Sequence, residues 1–110
     1  MADEKILTNA QEDESSTLVK FSKAYRFEGK DYTEVDLSGM DDLSAEDMIA
    51  ADRYLTRSGS FSVMPEMTLE YACFIAARAA KQPIEFFRGL LPKDALKVKN
   101  RVTSFFYSED

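Results

Sequence analysis

Seven consecutive residues, Tyr71-Ala72-Cys73-Phe74-Ile75-Ala76-Ala77, form the longest strongly apolar run of the chain. A helix through them has almost no polar face, and such a helix must be enclosed by protein on all sides. Ala72, Ala76, Ala79 and Ala80 allow neighbouring backbones to come close. The segment is the expected centre of the core, in a helix over about 66–81 that starts with Pro65 as first residue or Thr68 as cap. At 110 residues the chain has room for one such core. The run is far short of the roughly twenty residues that cross a bilayer, so no membrane role is expected.

The material that must surround this helix is legible on both sides of it. From Thr17 to Phe27, Val19, Phe21, Tyr25 and Phe27 share one face, interrupted by Lys23, with Lys20, Ser22 and Arg26 on the other. Tyr32–Leu37 alternates again, placing Thr33, Val35 and Leu37 opposite Tyr32, Glu34 and Asp36. Period two over both runs predicts strands. Between them lies Glu28-Gly29-Lys30-Asp31, where glycine supplies the positive φ of a tight turn. A hairpin over 17–37 is marginal alone and has to lean on helices or gain a strand from a partner.

After the loop Ser38–Asp42, Ser44 supplies an N-cap with Glu46 and Asp47 in the first turn, where negative charge suits the helix dipole. Leu43 and Met48 are placed as a hydrophobic staple. This helix spans about 44–57 with Met48, Ala51 and Leu55 inward and Tyr54 beside them. Pro83 suits a first helical position and Gly89 a stop, giving a short helix over 83–89. Pro92 opens a last helix over 92–107. Ala95, Val98, Val102 and Phe105 form its inner stripe, widened by Leu96 and Phe106, with Lys97, Lys99 and Arg101 outside. The fold class is α+β: an N-terminal β-hairpin followed by three to four helices in one helix-dominated domain over 17–110.

Charge is unevenly spread. The chain carries −6, and Met1–Ser16 holds five carboxylates against Lys5, leaving only −2 for the remainder. This leader has Ile6 and Leu7 as its bulky apolar residues and reads as a flexible acidic tail. A negative chain lacks the clustered cations that bind phosphate backbones, which argues against nucleic-acid binding. It also lacks the basic-then-apolar order of a signal peptide. Its single cysteine, Cys73, lies inside the apolar run as a small buried hydrophobe. These features together point to a cytosolic protein.

The residues for catalysis are missing. Without histidine, Ser-His and Cys-His arrangements are excluded. The one dense acidic cluster, Asp41-Asp42 with Glu46-Asp47, lacks the ordered spacing of a calcium loop and reads as a solvated helix start. Gly29, Gly39, Gly59 and Gly89 are scattered at expected turns and helix ends, so no phosphate-cradling loop exists. No catalytic, cofactor-binding or metal-ligating residue is assigned, and no cofactor is expected. What remains is apolar surface. Adjacent helical residues point about 100° apart, so in Phe86-Phe87 and Phe105-Phe106-Tyr107 one ring of each set tends to face away from a single core. Phe61 and Met64 add an apolar connection beside Gly59. Most of these residues can be read as filling one crowded core. One or two of the clusters are expected at the surface as a partner-binding site.

With these residues laid out, the chain resembles the tail assembly chaperones of long-tailed phages and prophages of Gram-positive hosts. The similarity runs through Tyr25-Arg26-Phe27-Glu28-Gly29-Lys30, Glu34-Val35-Asp36-Leu37 and Leu43-Ser44-Ala45-Glu46-Asp47. It continues in Tyr71–Ala77, Pro83-Ile84-Glu85 and Asp94 through Phe106, while Met1–Ser16 lies outside it. The resemblance implies a non-catalytic protein that binds the tape measure protein and helps recruit tail tube subunits. It would act in the host bacterial cytoplasm and be absent from the mature virion. Self-association, or pairing of the hairpin edge with tube subunits, would align several copies. The alternative is a structural minor tail or connector protein retained in the virion. An acidic inhibitor or DNA mimic would need its carboxylates on the folded surface, whereas most of the excess sits in the leader.

Overall fold

The computed structural model describes residues 17–59 and 68–107. Within them, strands β1 (Leu18–Phe27) and β2 (Lys30–Asp36) form an antiparallel hairpin. A 3-10 turn (Ser38–Asp42) follows, then helices α1 (Ala45–Arg57), α2 (Leu69–Ala80), α3 (Ile84–Arg88) and α4 (Pro92–Phe106). The α+β architecture expected from the sequence is the one found, with the hairpin first and four helices after it. The leader over 1–16 and the connection carrying Phe61, Met64 and Pro65 lie outside the described residues.

The hairpin closes through Glu28 and Gly29, both at positive φ (50° and 82°), the backbone pattern of the primed two-residue turn that matches strand twist. Val19 pairs with Val35 and Lys20 with Glu34, but past a register shift Tyr25 pairs with Tyr32 and Phe27 with Lys30. Phe21–Ala24 of β1 thus faces Thr33 alone, a bulge that absorbs Lys23 where simple alternation would turn it inward. The bulge also overturns one expectation. Tyr32, predicted on the face opposite Val35, packs inward as well, its ring edge-on to Phe86 at 4.9 Å.

Helix α2 is the core. Tyr71, Ala72, Cys73, Ile75, Ala76, Ala77 and Ala79 are all buried, as its lack of a polar face requires. The 3-10 turn rests directly on its C-terminal end: a Cβ on Gly39 would lie 2.2 Å from the carbonyl oxygen of Ala79. α1 begins in a capping box, with Ser44 Oγ accepting from the Glu46 amide and Asp47 accepting from the Ser44 amide at 2.9 Å. Asp47 also accepts from Arg78 Nε at 2.6 Å, and Arg78 lies over the Phe74 ring, which meets Tyr54 of α1 at 5.2 Å. These contacts fix α1 against α2. Met48, assigned to the inner stripe, is instead exposed beside Ile49, while Ala51 and Leu55 are buried.

The last helix departs most from expectation. Lys97 and Arg101, read as outward decoration, turn to the free edge of β1. Lys97 Nζ donates to the Lys20 carbonyl at 2.8 Å and Arg101 donates to the Leu18 carbonyl at 3.1 Å. Asp94, only 2% exposed, accepts from both the amide and the hydroxyl of Ser22 (2.9 and 3.1 Å). Residues 94, 97 and 101 lie on one face of α4, and residues 22, 20 and 18 alternate along β1, so the two elements lock antiparallel. The physical reason is that an edge strand held against a helix must satisfy backbone groups that a third strand would otherwise take. Leu96, expected to widen the inner stripe, faces solvent. Pro83 is the N-cap of α3 rather than its first residue, while Pro92 does open α4.

Candidate functional site

The residues expected to form a docking surface separate into three groups. Phe61 and Met64 fall outside the described residues. Phe86 and Phe87, expected to leave one ring facing outward, are both buried. Their helix has only five residues and is wedged between the hairpin and α2, so directions 100° apart both meet protein. Phe86 sits among Tyr25, Phe27 and Tyr32, with Tyr25 Oη donating to its carbonyl at 2.7 Å. The third group, at the end of α4, is partly free: Phe105 and Tyr107 are exposed, while Phe106 packs edge-on against Tyr71 at 5.9 Å. Phe105 continues the inner stripe of Ala95, Val98 and Val102 but extends past the packed interior.

A more concave apolar surface lies at the other end of α4. A groove of about 300 Å³ is lined by Leu69, Cys73, Phe87, Leu90, Pro92 and Ala95, with Glu70 and Arg88 at its margin. Three local signals build it. Thr68 Oγ1 accepts from the Tyr71 amide and starts α2 there, which places Leu69, Glu70 and Cys73 in its opening turns. α3 ends at Gly89, whose missing Cβ leaves space for the Tyr25 hydroxyl, and the chain then crosses through the buried Leu90. Pro92 opens α4 and brings Ala95 to the groove one turn later. Phe87, 1% exposed, forms the floor, and Leu69, 40% exposed, stands at the rim. Leu96, 50% exposed, adjoins Ala95 and lies one turn from Pro92 on α4. Tyr107 falls on the same side of that helix as Leu96, about 16 Å further along at 1.5 Å per residue.

Sequence reasoning missed Leu69 and Leu96. Leu96 was read as widening the inner stripe, but it lies about 100° from Ala95 and about 160° from Val98 around α4, which puts it outside the buried face. The usable signal was a single leucine, Leu69, directly after the N-cap Thr68 and before Glu70, at a helix start where neighbouring turns cover little.

The polar groups at the margin are committed to structure. Arg88 donates to Tyr54 Oη and lies 3.8 Å from Glu70. Burial pushes the Cys73 thiol up from its usual range. Arg88 opposes that shift and Glu70 adds to it. A neutral buried thiol is a poor nucleophile, so Cys73 serves the groove as apolar lining. At the opposite side of α2, the Ser44 amide first, and Arg78 after it, hold the Asp47 carboxyl below its ordinary value. Among the described residues no cluster of three or more His, Cys, Asp or Glu could hold a metal. No helix among them is long and apolar enough to cross a membrane.

No protein-family model, curated protein or solved structure matches this chain.

Proposed function

We propose that this protein is a non-catalytic tail assembly chaperone of the long-tailed phage kind, holding apolar stripes of the tape measure protein until tube subunits replace it. The observation that supports the reading is the open apolar groove, floored by Phe87 and rimmed by Leu69, with Leu96 exposed beside it. Grooves of this type receive the apolar face of an amphipathic helix, anchored by residues at i, i+3, i+4 and i+7. A tape measure protein presents long stretches of such helix, and each stripe aggregates when uncovered. Burying a leucine fully contributes about 1.5–3 kcal/mol; two half-exposed leucines and a small groove therefore give a contact that forms readily and releases. Reversibility suits a factor that is displaced as the tube grows and that leaves the finished particle.

The test is co-expression with a tape measure segment that is insoluble alone. The segment is expected in the soluble fraction, co-purifying with the chaperone, and Leu69→Asp or Leu96→Asp should weaken its recovery while leaving the circular dichroism spectrum unchanged. Equal insolubility with and without the chaperone refutes the proposal. Mass spectrometry of purified virions tests the remaining part, since a retained minor tail or connector subunit would be found there and a chaperone would not.

A further inference from the structure

We infer that the outer edge of β2 pairs antiparallel with the same edge of a second copy of this chain, joining two hairpins into one four-stranded sheet. The fold closes one edge of the hairpin and leaves the other open. α4 covers the β1 edge through Lys97, Arg101 and Asp94. Along β2, no hydrogen bond among the described residues reaches the backbone from anywhere but β1. Lys30, Asp31, Thr33, Glu34 and Asp36 are all exposed. The bulge belongs to β1, where Phe21–Ala24 faces Thr33 alone, so β2 presents its seven residues without interruption. An open strand edge is a template for another extended chain. β2 shares no residue with the groove, and a failure of this pairing leaves the client site untouched.

The backbone edge accepts any strand, and the charges on β2 select the occupant. Opposed residues of an antiparallel pair either both exchange hydrogen bonds or both turn them away. Two copies of one edge therefore shift only in steps that keep odd positions opposite odd and even opposite even. The alignment that pairs all seven residues centres on Thr33. Thr33 then opposes its own copy, Tyr32 opposes Glu34, Asp31 opposes Val35, and Lys30 opposes Asp36 at both ends. No like charges meet, and opposite charges placed directly across a strand pair stabilise it. One step in one direction sets Glu34 against its own copy, and one step in the other leaves only five residues paired. Among the described residues neither Lys30 nor Asp36 forms an ion pair within the chain. Charge on an edge strand ordinarily discourages pairing; here it discourages the shifted registers and favours the full one. The hairpin carries Lys20, Lys23, Arg26 and Lys30 against Glu28, Asp31, Glu34 and Asp36, so two hairpins approach without net repulsion.

Sedimentation velocity of the full-length protein, at concentrations up to about 200 μM, tests this. The wild type is expected to pass from monomer to dimer as concentration rises. Lys30→Asp and Asp36→Lys, each verified as folded by circular dichroism, set like charges opposite at both ends of the pairing. Each should weaken dimerisation about tenfold. Mixed in equal amounts, the two variants regain both opposite-charge pairs in a heterodimer, and association should return to the wild-type level. A wild-type protein that stays monomeric throughout overturns the inference. So do single variants that dimerise as the wild type does, or a mixture that associates no better than its components.

Discussion

Replacing Gly39 with alanine puts the packing of the 3-10 turn on α2 to a direct test. The added methyl would sit 2.2 Å from the Ala79 carbonyl oxygen and 3.0 Å from its carbonyl carbon, where ordinary contact begins at 3.4 Å. Both obstructing atoms are backbone in the helix that forms the core, so no side chain can rotate aside. Turn and helix must separate by about 1.2 Å, which uncovers Met40 and Leu37, both almost fully buried. Overpacking of this kind costs about 1–3 kcal/mol, and the rigid backbone obstacle puts it at the upper end. For a domain of this size that corresponds to a fall in Tm of roughly 10–20 °C. Gly29→Ala provides the comparison. It has open space around its Cβ but sits at φ 82°, so it should lose only about 1 kcal/mol, from left-handed backbone strain. Differential scanning calorimetry of both variants separates steric from conformational cost. A Gly39→Ala protein melting within about 3 °C of wild type would refute the close approach.

Asp94→Ala removes the acceptor for the Ser22 amide and hydroxyl and should cost about 2–3 kcal/mol in urea denaturation. Phe87→Ala should cost about 3–5 kcal/mol in the same assay, whereas Phe105→Ser, at the exposed end of α4, should change stability by under about 1 kcal/mol. The depressed Asp47 carboxyl contributes stability that is present above its unfolded value, near pH 4, and is lost as pH falls through the lower folded value. Asp47→Asn should therefore flatten the acid side of the stability curve measured between about pH 6 and pH 2.

Much of the architecture was legible because its signals are local. Glu28-Gly29 between alternating runs fixed the hairpin, Ser44 with Asp47 marked the start of α1, and the unbroken apolar face of Tyr71–Ala77 put α2 in the middle. Tyr32 was misplaced because a bulge resets strand parity, and nothing in Phe21–Ala24 except the intrusive Lys23 announced it. Asp94, Lys97 and Arg101 were unreadable for a different reason. Helical spacing reports which residues share a face, whereas an edge strand's need for polar partners depends on what packs beside it. The docking surface suffered most. Adjacent aromatics such as Phe86-Phe87 suggested an outward ring, but a five-residue helix enclosed on two sides buries both, and ordinary leucines at 69 and 96 took the exposed positions.

The clasp between β1 and α4 bears on how the chain is made. Ser22 meets Asp94, Lys20 meets Lys97 and Leu18 meets Arg101 across 72, 77 and 83 residues, a separation that slows closure of the native topology. On the ribosome the hairpin emerges first and waits, its outer backbone unclasped, until the nascent chain has delivered the final helix. Residues 18–22 thus stay open to mispairing until late in synthesis, and α4 is what ends that exposure.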